Sequence, residues 1–128
     1  MTDRGDRDPD RGGSTVELAI LWPAILVLVF GAVQAATYFT ARTVALSAAQ
    51  IAATTERQYQ ASEGAGVQRA EAFLERSGDW LRNWEIIRHD SGDDVVEFTV
   101  TGDSLSIVPG VNWTVSQSAH GTVERFTP

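Results

Sequence analysis

Charge vanishes from the chain between Glu17 and Arg42: the 24 positions from Leu18 to Ala41 hold no Asp, Glu, Arg, Lys or His. From Leu18 to Val33 the residues are apolar around the whole helical circumference, the pattern of a helix that meets lipid or protein on every side. At about 1.5 Å of rise per residue, the more apolar part, Leu18 to Phe39, reaches across a hydrocarbon layer of about 30 Å. The pattern predicts a transmembrane helix over 18–39.

Helical signal continues past the apolar run. Ala41, Ala45, Ala48 and Ala52 fall on one line, with Val44, Ile51 and Thr55 beside it, the spacing of an amphipathic helix that faces a core. One helix from Val16 to about Gln60 is expected, half in lipid and half in solvent. Pro23 is expected to kink it, a defect a membrane helix absorbs. Gly31, Ala32, Ala35 and Ala36 leave a smooth surface that suits lateral packing of helices.

Ser62-Glu63-Gly64-Ala65-Gly66 then breaks the helix, and Val67, Ala70, Phe73 and Leu74 predict a short second one ending near Ser77-Gly78. Alternation changes to period two in Glu85–His89 and Val95–Thr101, with Asp90–Asp93 as the turn between them. This is a hairpin with Val96, Phe98 and Val100 on one face. A third strand is expected over Val111–Gln117, with Val111, Trp113 and Val115 on one face, and a fourth over Gly121–Phe126. The fold class that follows is α+β: a long N-terminal helix and a small antiparallel head. Its parts are a leader (1–12), the long helix (13–60) and a head (61–128).

Composition narrows the function. Net charge is −7, and residues 40–128 carry seven Arg against twelve Asp and Glu, a surface that repels nucleic acid. Cys is absent, which excludes disulfides, thiol chemistry and Cys-based metal sites. Residues 1–13 have no apolar side chain beyond Met1 and read as disordered. Arg4, Arg7 and Arg11 precede the apolar run, and only Arg42 and Arg57 follow within about twenty residues. By the positive-inside bias, the N-terminus is expected in the cytoplasm and the head outside.

A single carboxylate interrupts the membrane pattern at its edge. An ionised side chain at mid-bilayer costs about 2.5–3.5 kcal/mol on insertion scales, less near the headgroups, so Glu17 needs a partner. Locally, Ser14-Thr15-Val16-Glu17 reads as a capping box that satisfies the first free helical amides and suits the positive end of the helix dipole.

The string Arg11-Gly12-Gly13-Ser14-Thr15-Val16-Glu17-Leu18, followed by an apolar helix with Pro23 six residues after the acid, resembles the start of TadE-like minor pilins (pseudopilins). These are accessory subunits of tight-adherence (Flp, type IVb) pili. The resemblance implies cleavage by a prepilin peptidase between Gly12 and Gly13, which makes Glu17 the fifth residue of the mature chain. It also implies that Glu17 meets the free amino terminus of a neighbouring subunit during assembly. Leu18 departs from the pattern, where Phe or Tyr is common. A second resemblance, to actinobacterial TadE-like proteins, lies in the Val-rich strand that leads through Ser104-Leu105 and Pro109-Gly110 to a further strand and a closing Val123-Glu124-Arg125-Phe126. Residues 60–85 are outside it.

A secretory signal is the competing reading. Val33-Gln34-Ala35 before Ala36 satisfies a small-residue cleavage rule, although its n-region is net acidic and helical signal runs past the cut. It would leave a secreted or membrane-anchored binding module with a Trp-bearing sheet. No catalytic set emerges. His89 and His120 are the only imidazoles, Asp90, Asp93 and Asp94 lack EF-hand spacing, and Ser104 and Ser106 lie in no nucleophile elbow. Asn112-Trp113-Thr114 matches a glycosylation acceptor only formally, and Trp80, Trp84 and Trp113 read as core or inter-subunit contacts. The expectation is a non-enzymatic, single-pass membrane protein without cofactor, metal, small-molecule substrate or nucleic acid. Its expected partners are a prepilin peptidase, other pilin subunits and membrane lipid.

Overall fold

The computed structural model describes residues 10–58, 64–92 and 94–122, with side chains from Gly13 onward. Helix α1 runs Asp10–Arg57 without interruption, and Pro23 lies inside it. The chain divides into two compact units, residues 1–33 and 34–128. In the first, every described side chain from Gly13 to Val33 is exposed.

The second unit is α+β. After α1 come α2 (Ala65–Arg76), a single 3₁₀ turn (Gly78–Trp80) and three strands: β1 (Leu81–Asp90), β2 (Val95–Ser104) and β3 (Thr114–Thr122). The sheet is antiparallel throughout, in the order β1-β2-β3. Its inner face is built by β2, whose side chains alternate between buried and half-buried along all ten residues. Val96, Phe98 and Val100 point inward with Val115, and the helical side of the core is Ala41, Ala45, Ala48, Ala49, Ala52 and Ala53. Alanine is what permits this packing. With no bulk beyond Cβ, α1 admits the backbone of its neighbours, and a methyl group on Gly121 of β3 would stand 3.0 Å from the Ala53 carbonyl oxygen. A methyl on Gly66 at the start of α2 would collide with the Ala52 carbonyl.

Glu56 completes the junction between the helices. One carboxylate oxygen accepts from the Gly66 amide at 3.2 Å, and the other lies 4.0 Å from Arg88 of β1. Arg88 in turn holds Asp90 at 3.0 Å. A bulge between Arg82 and Glu85 interrupts the β1–β2 register. Asn83 sits there with φ of 49°, and its side-chain amide reaches Asp103 at 3.4 Å.

Four expectations need correction. Residues 10–13 belong to α1, so the disordered stretch does not extend to Gly13; positions 1–9 lie outside the described residues. Because the helix begins at Asp10, Ser14 is already within it and no capping box forms at Ser14–Glu17. The third strand starts at Thr114 rather than Val111, leaving Val111 and Trp113 in the preceding loop. Gly121 and Thr122 end that same strand instead of opening a fourth, and residues 123–128 lie outside the described part.

Candidate functional site

Among the described residues, Glu17 is the only Asp, Glu, Arg, Lys or His on α1 between Gly13 and Arg42, and it is exposed. Gly13 lies one turn before it, on the same side of the helix. A methyl group on Gly13 would meet nothing within 4 Å. Neither space nor a left-handed backbone requires glycine there, and a glycine costs a helix about 1 kcal/mol relative to alanine. Gly12 is in the same helical turn.

Beyond Glu17, Val16, Leu18, Ile20, Leu21, Trp22 and the residues on to Val33 present apolar surface, with Val27 at 73% exposure and Leu28 at 71%. A contiguous apolar surface of this extent marks an interaction site for lipid or protein. The helix is long and apolar enough to cross a membrane, and none of its most apolar window is buried. Gly31, Ala32 and Ala36 are exposed among the large side chains, and a methyl on Gly31 would also meet nothing within 4 Å. The small residues are open to an approaching helix.

Burial begins at Gln34, which is 5% exposed. Its Oε1 accepts the backbone amide of Ile107, in the loop between β2 and β3, at 3.1 Å. Its Nε2 is buried with no partner among the described residues. One turn later, Tyr38 packs edge-on against Trp113 from the same loop, with ring centroids 5.5 Å apart. Pairwise contacts over this sequence distance leave no local pattern. The available signal was Gln34 itself, the one amide in an apolar run.

The remaining candidate chemistry resolves into scaffold. The strand register sets His89 and His120 on either side of Glu97, with His120 Nδ1 3.8 Å from the Glu97 carboxylate. Among the described residues no three His, Asp or Glu side chains form a group that could hold a metal ion. Asp90 is paired with Arg88, and Asp93 lies outside the described residues. Hydroxyls pair across β2 and β3 on the outer face, with Thr99 bonded to Ser118 at 2.8 Å. Ser104 is buried. Trp84 packs against the core, whereas Trp80 and Trp113 are 44% and 43% exposed. A groove of about 460 Å³ between α1 and α2, walled by Ile51, Thr54, Phe73 and the Arg69 and Arg76 side chains, holds no nucleophile and base pair.

No curated protein and no solved structure matches the chain. A family model described as TadE-like protein matches residues 12–54. The matched stretch takes in Gly12, Gly13, Glu17, the apolar run and the alanine face; the resemblance read in the C-terminal half is not part of it. Residues 12–54 are therefore a TadE-like segment, consistent with a TadE-like pilin of the tight-adherence (Flp) system.

Proposed function

We propose that the protein is a non-enzymatic minor pilin that acts in assembly of a tight-adherence pilus, anchored by one membrane span over 18–39. The observation that carries this reading is the lone carboxylate of Glu17 at the edge of an exposed, charge-free helix within a TadE-like match. Residues 1–12 are the leader, on the cytoplasmic side, and the head beyond residue 60 stands outside the membrane. A prepilin peptidase cuts between Gly12 and Gly13. The paired glycines favour the open chain such an enzyme needs, because each weakens the helix locally.

Cleavage changes the electrostatics of Glu17. The new ammonium group at Gly13 and a carboxylate four residues on are both costly in lipid. Each is relieved by an opposite charge, whose attraction grows as the dielectric constant falls. Lateral packing that brings the Glu17 carboxylate of one subunit to the amino terminus of the next satisfies both. Removing one partner of such a pair leaves an uncompensated charge, at about 3–5 kcal/mol. The small residues at 31–36 allow the close approach.

The competing reading, secretion with a cut after Ala35, would detach Gln34 from the head and orphan the Ile107 amide that it accepts. The test is Glu17→Ala. Insertion into the membrane is expected to persist while incorporation into filaments is lost; unchanged incorporation would contradict the assembly role.

A further inference from the structure

We propose that the β2–β3 loop is a membrane-docking element, whose Ile107, Val108 and Trp113 side chains sit with Phe39 in the interfacial layer of the bilayer where α1 leaves it. The proposal rests on the reading that α1 spans the membrane, but it concerns a surface of the head.

The first observation is a measure of length. The wholly exposed part of the apolar helix, Leu18 to Val33, covers about 24 Å at 1.5 Å per residue. That is short of the roughly 30 Å of a hydrocarbon core. The missing length, roughly 6 Å or about four residues at that rise, falls on Gln34–Thr37 and puts Tyr38 and Phe39 at the boundary. The loop packs against this stretch: Ile107 is bonded to Gln34 and Trp113 meets Tyr38 edge-on.

The second observation is the character of the loop. Its apolar side chains face out, with Ile107 43%, Val108 39% and Trp113 43% exposed, beside Phe39 at 60%. Leu105 to Trp113 contains no charged residue, in a head that is otherwise acidic. Tyr38 joins the two parts of the patch, touching Phe39 at 5.9 Å and Trp113 at 5.5 Å between ring centroids. Aromatic rings of this kind gather at the boundary between acyl chains and headgroups.

The third is that the loop meets part of its hydrogen-bonding need internally, which eases the approach of its backbone to lipid. The Ser104 amide donates to the Trp113 carbonyl at 2.9 Å and closes the base, and Val111 N–H reaches the Val108 carbonyl at 3.3 Å. The Ser106 hydroxyl donates to the same Val108 oxygen at 2.8 Å. Gly110, with φ of 83°, makes the turn. The occupant is the apolar interface of the bilayer itself. The loop itself, Leu105 to Trp113, brings no cation to an anionic headgroup.

The natural absence of cysteine makes the test direct. Single-cysteine variants V108C, L28C and S118C of the full chain are labelled with an environment-sensitive fluorophore in phosphatidylcholine vesicles. Quenching is read with nitroxides placed at shallow and deep positions of the lipid. The expected result is blue-shifted emission at Val108, quenched several-fold more by the shallow than by the deep probe. Leu28 is expected to respond to the deep probe and Ser118, on the outer sheet face, to neither. Water-like emission at Val108 with Leu28 still in lipid overturns the docking proposal and leaves the span intact. Water-like emission at both removes the span as well. Protection of Val108 only when other subunits are present assigns the patch to a neighbouring protein and overturns the proposal.

Discussion

The amide of Ile107 donates to the side-chain oxygen of Gln34 at 3.1 Å, across 73 positions of sequence. This bond fixes the loop between β2 and β3 to α1 at the first buried position of the helix. Gln34→Ala removes the acceptor and leaves a half-buried amide unpaired, at about 1–3 kcal/mol. The expected signature is localised: faster hydrogen exchange at Ile107 in micelles, with Val96, Phe98 and Val100 still protected.

Glycine positions along the chain divide into those that space demands and those that it does not. Gly66→Ala drives a methyl into the backbone of Ala52 and Gly121→Ala crowds that of Ala53. Each is expected to destabilise by about 1–3 kcal/mol as an overpacked contact. Gly13→Ala meets open space and is expected to leave thermal stability unchanged or raise it by up to about 1 kcal/mol. Thermal melts of the three variants in one detergent check the contrast.

Glu56 serves two donors, so its substitutions separate charge from hydrogen bonding. In Glu56→Gln the amide oxygen still accepts from Gly66 while the attraction to Arg88 is lost. In Glu56→Ala both go, and the cost is expected to reach about 1.5–3 kcal/mol, as for hydrogen bonds to charged groups. Denaturant unfolding of the two variants should rank Ala as clearly worse than Gln.

The alanine face is the structural counterpart of the β2 side chains. Phe98 is fully buried, and Phe98→Ala is expected to cost about 3–5 kcal/mol. Ala48→Leu, which fills the helix side of the same core, is expected to destabilise by about 1–3 kcal/mol. Urea titration followed by circular dichroism measures both.

What was legible in the chain follows physical range. The line Ala41, Ala45, Ala48, Ala52 and the alternation Val96, Phe98, Val100 are periodicities enforced by one buried face, and the structure buries every member. The start of α1 was misread because Ser14 and Glu17 have the spacing of a cap. Gly12 and Gly13 weaken a helix without ending it, and α1 runs through both from Asp10. Val111 and Trp113 alternate like a strand with Val115, but the Pro109-Gly110 turn and the Ser104–Trp113 bond hold them in the loop. Glu17 could be singled out because a lone acid beside an apolar run is visible in the chain itself, whereas Gly12 and Gly13 were named only through the resemblance to TadE-like minor pilins. The pairing of Gln34 with Ile107, and of Glu56 with Arg88, needs the tertiary fold and has no local trace.

The most direct measurement is the mass of the N-terminal peptide of the chain extracted from its native membrane. The assembly reading predicts a chain beginning at Gly13. A chain beginning at Met1 or Thr2, or at Ala36, would contradict it.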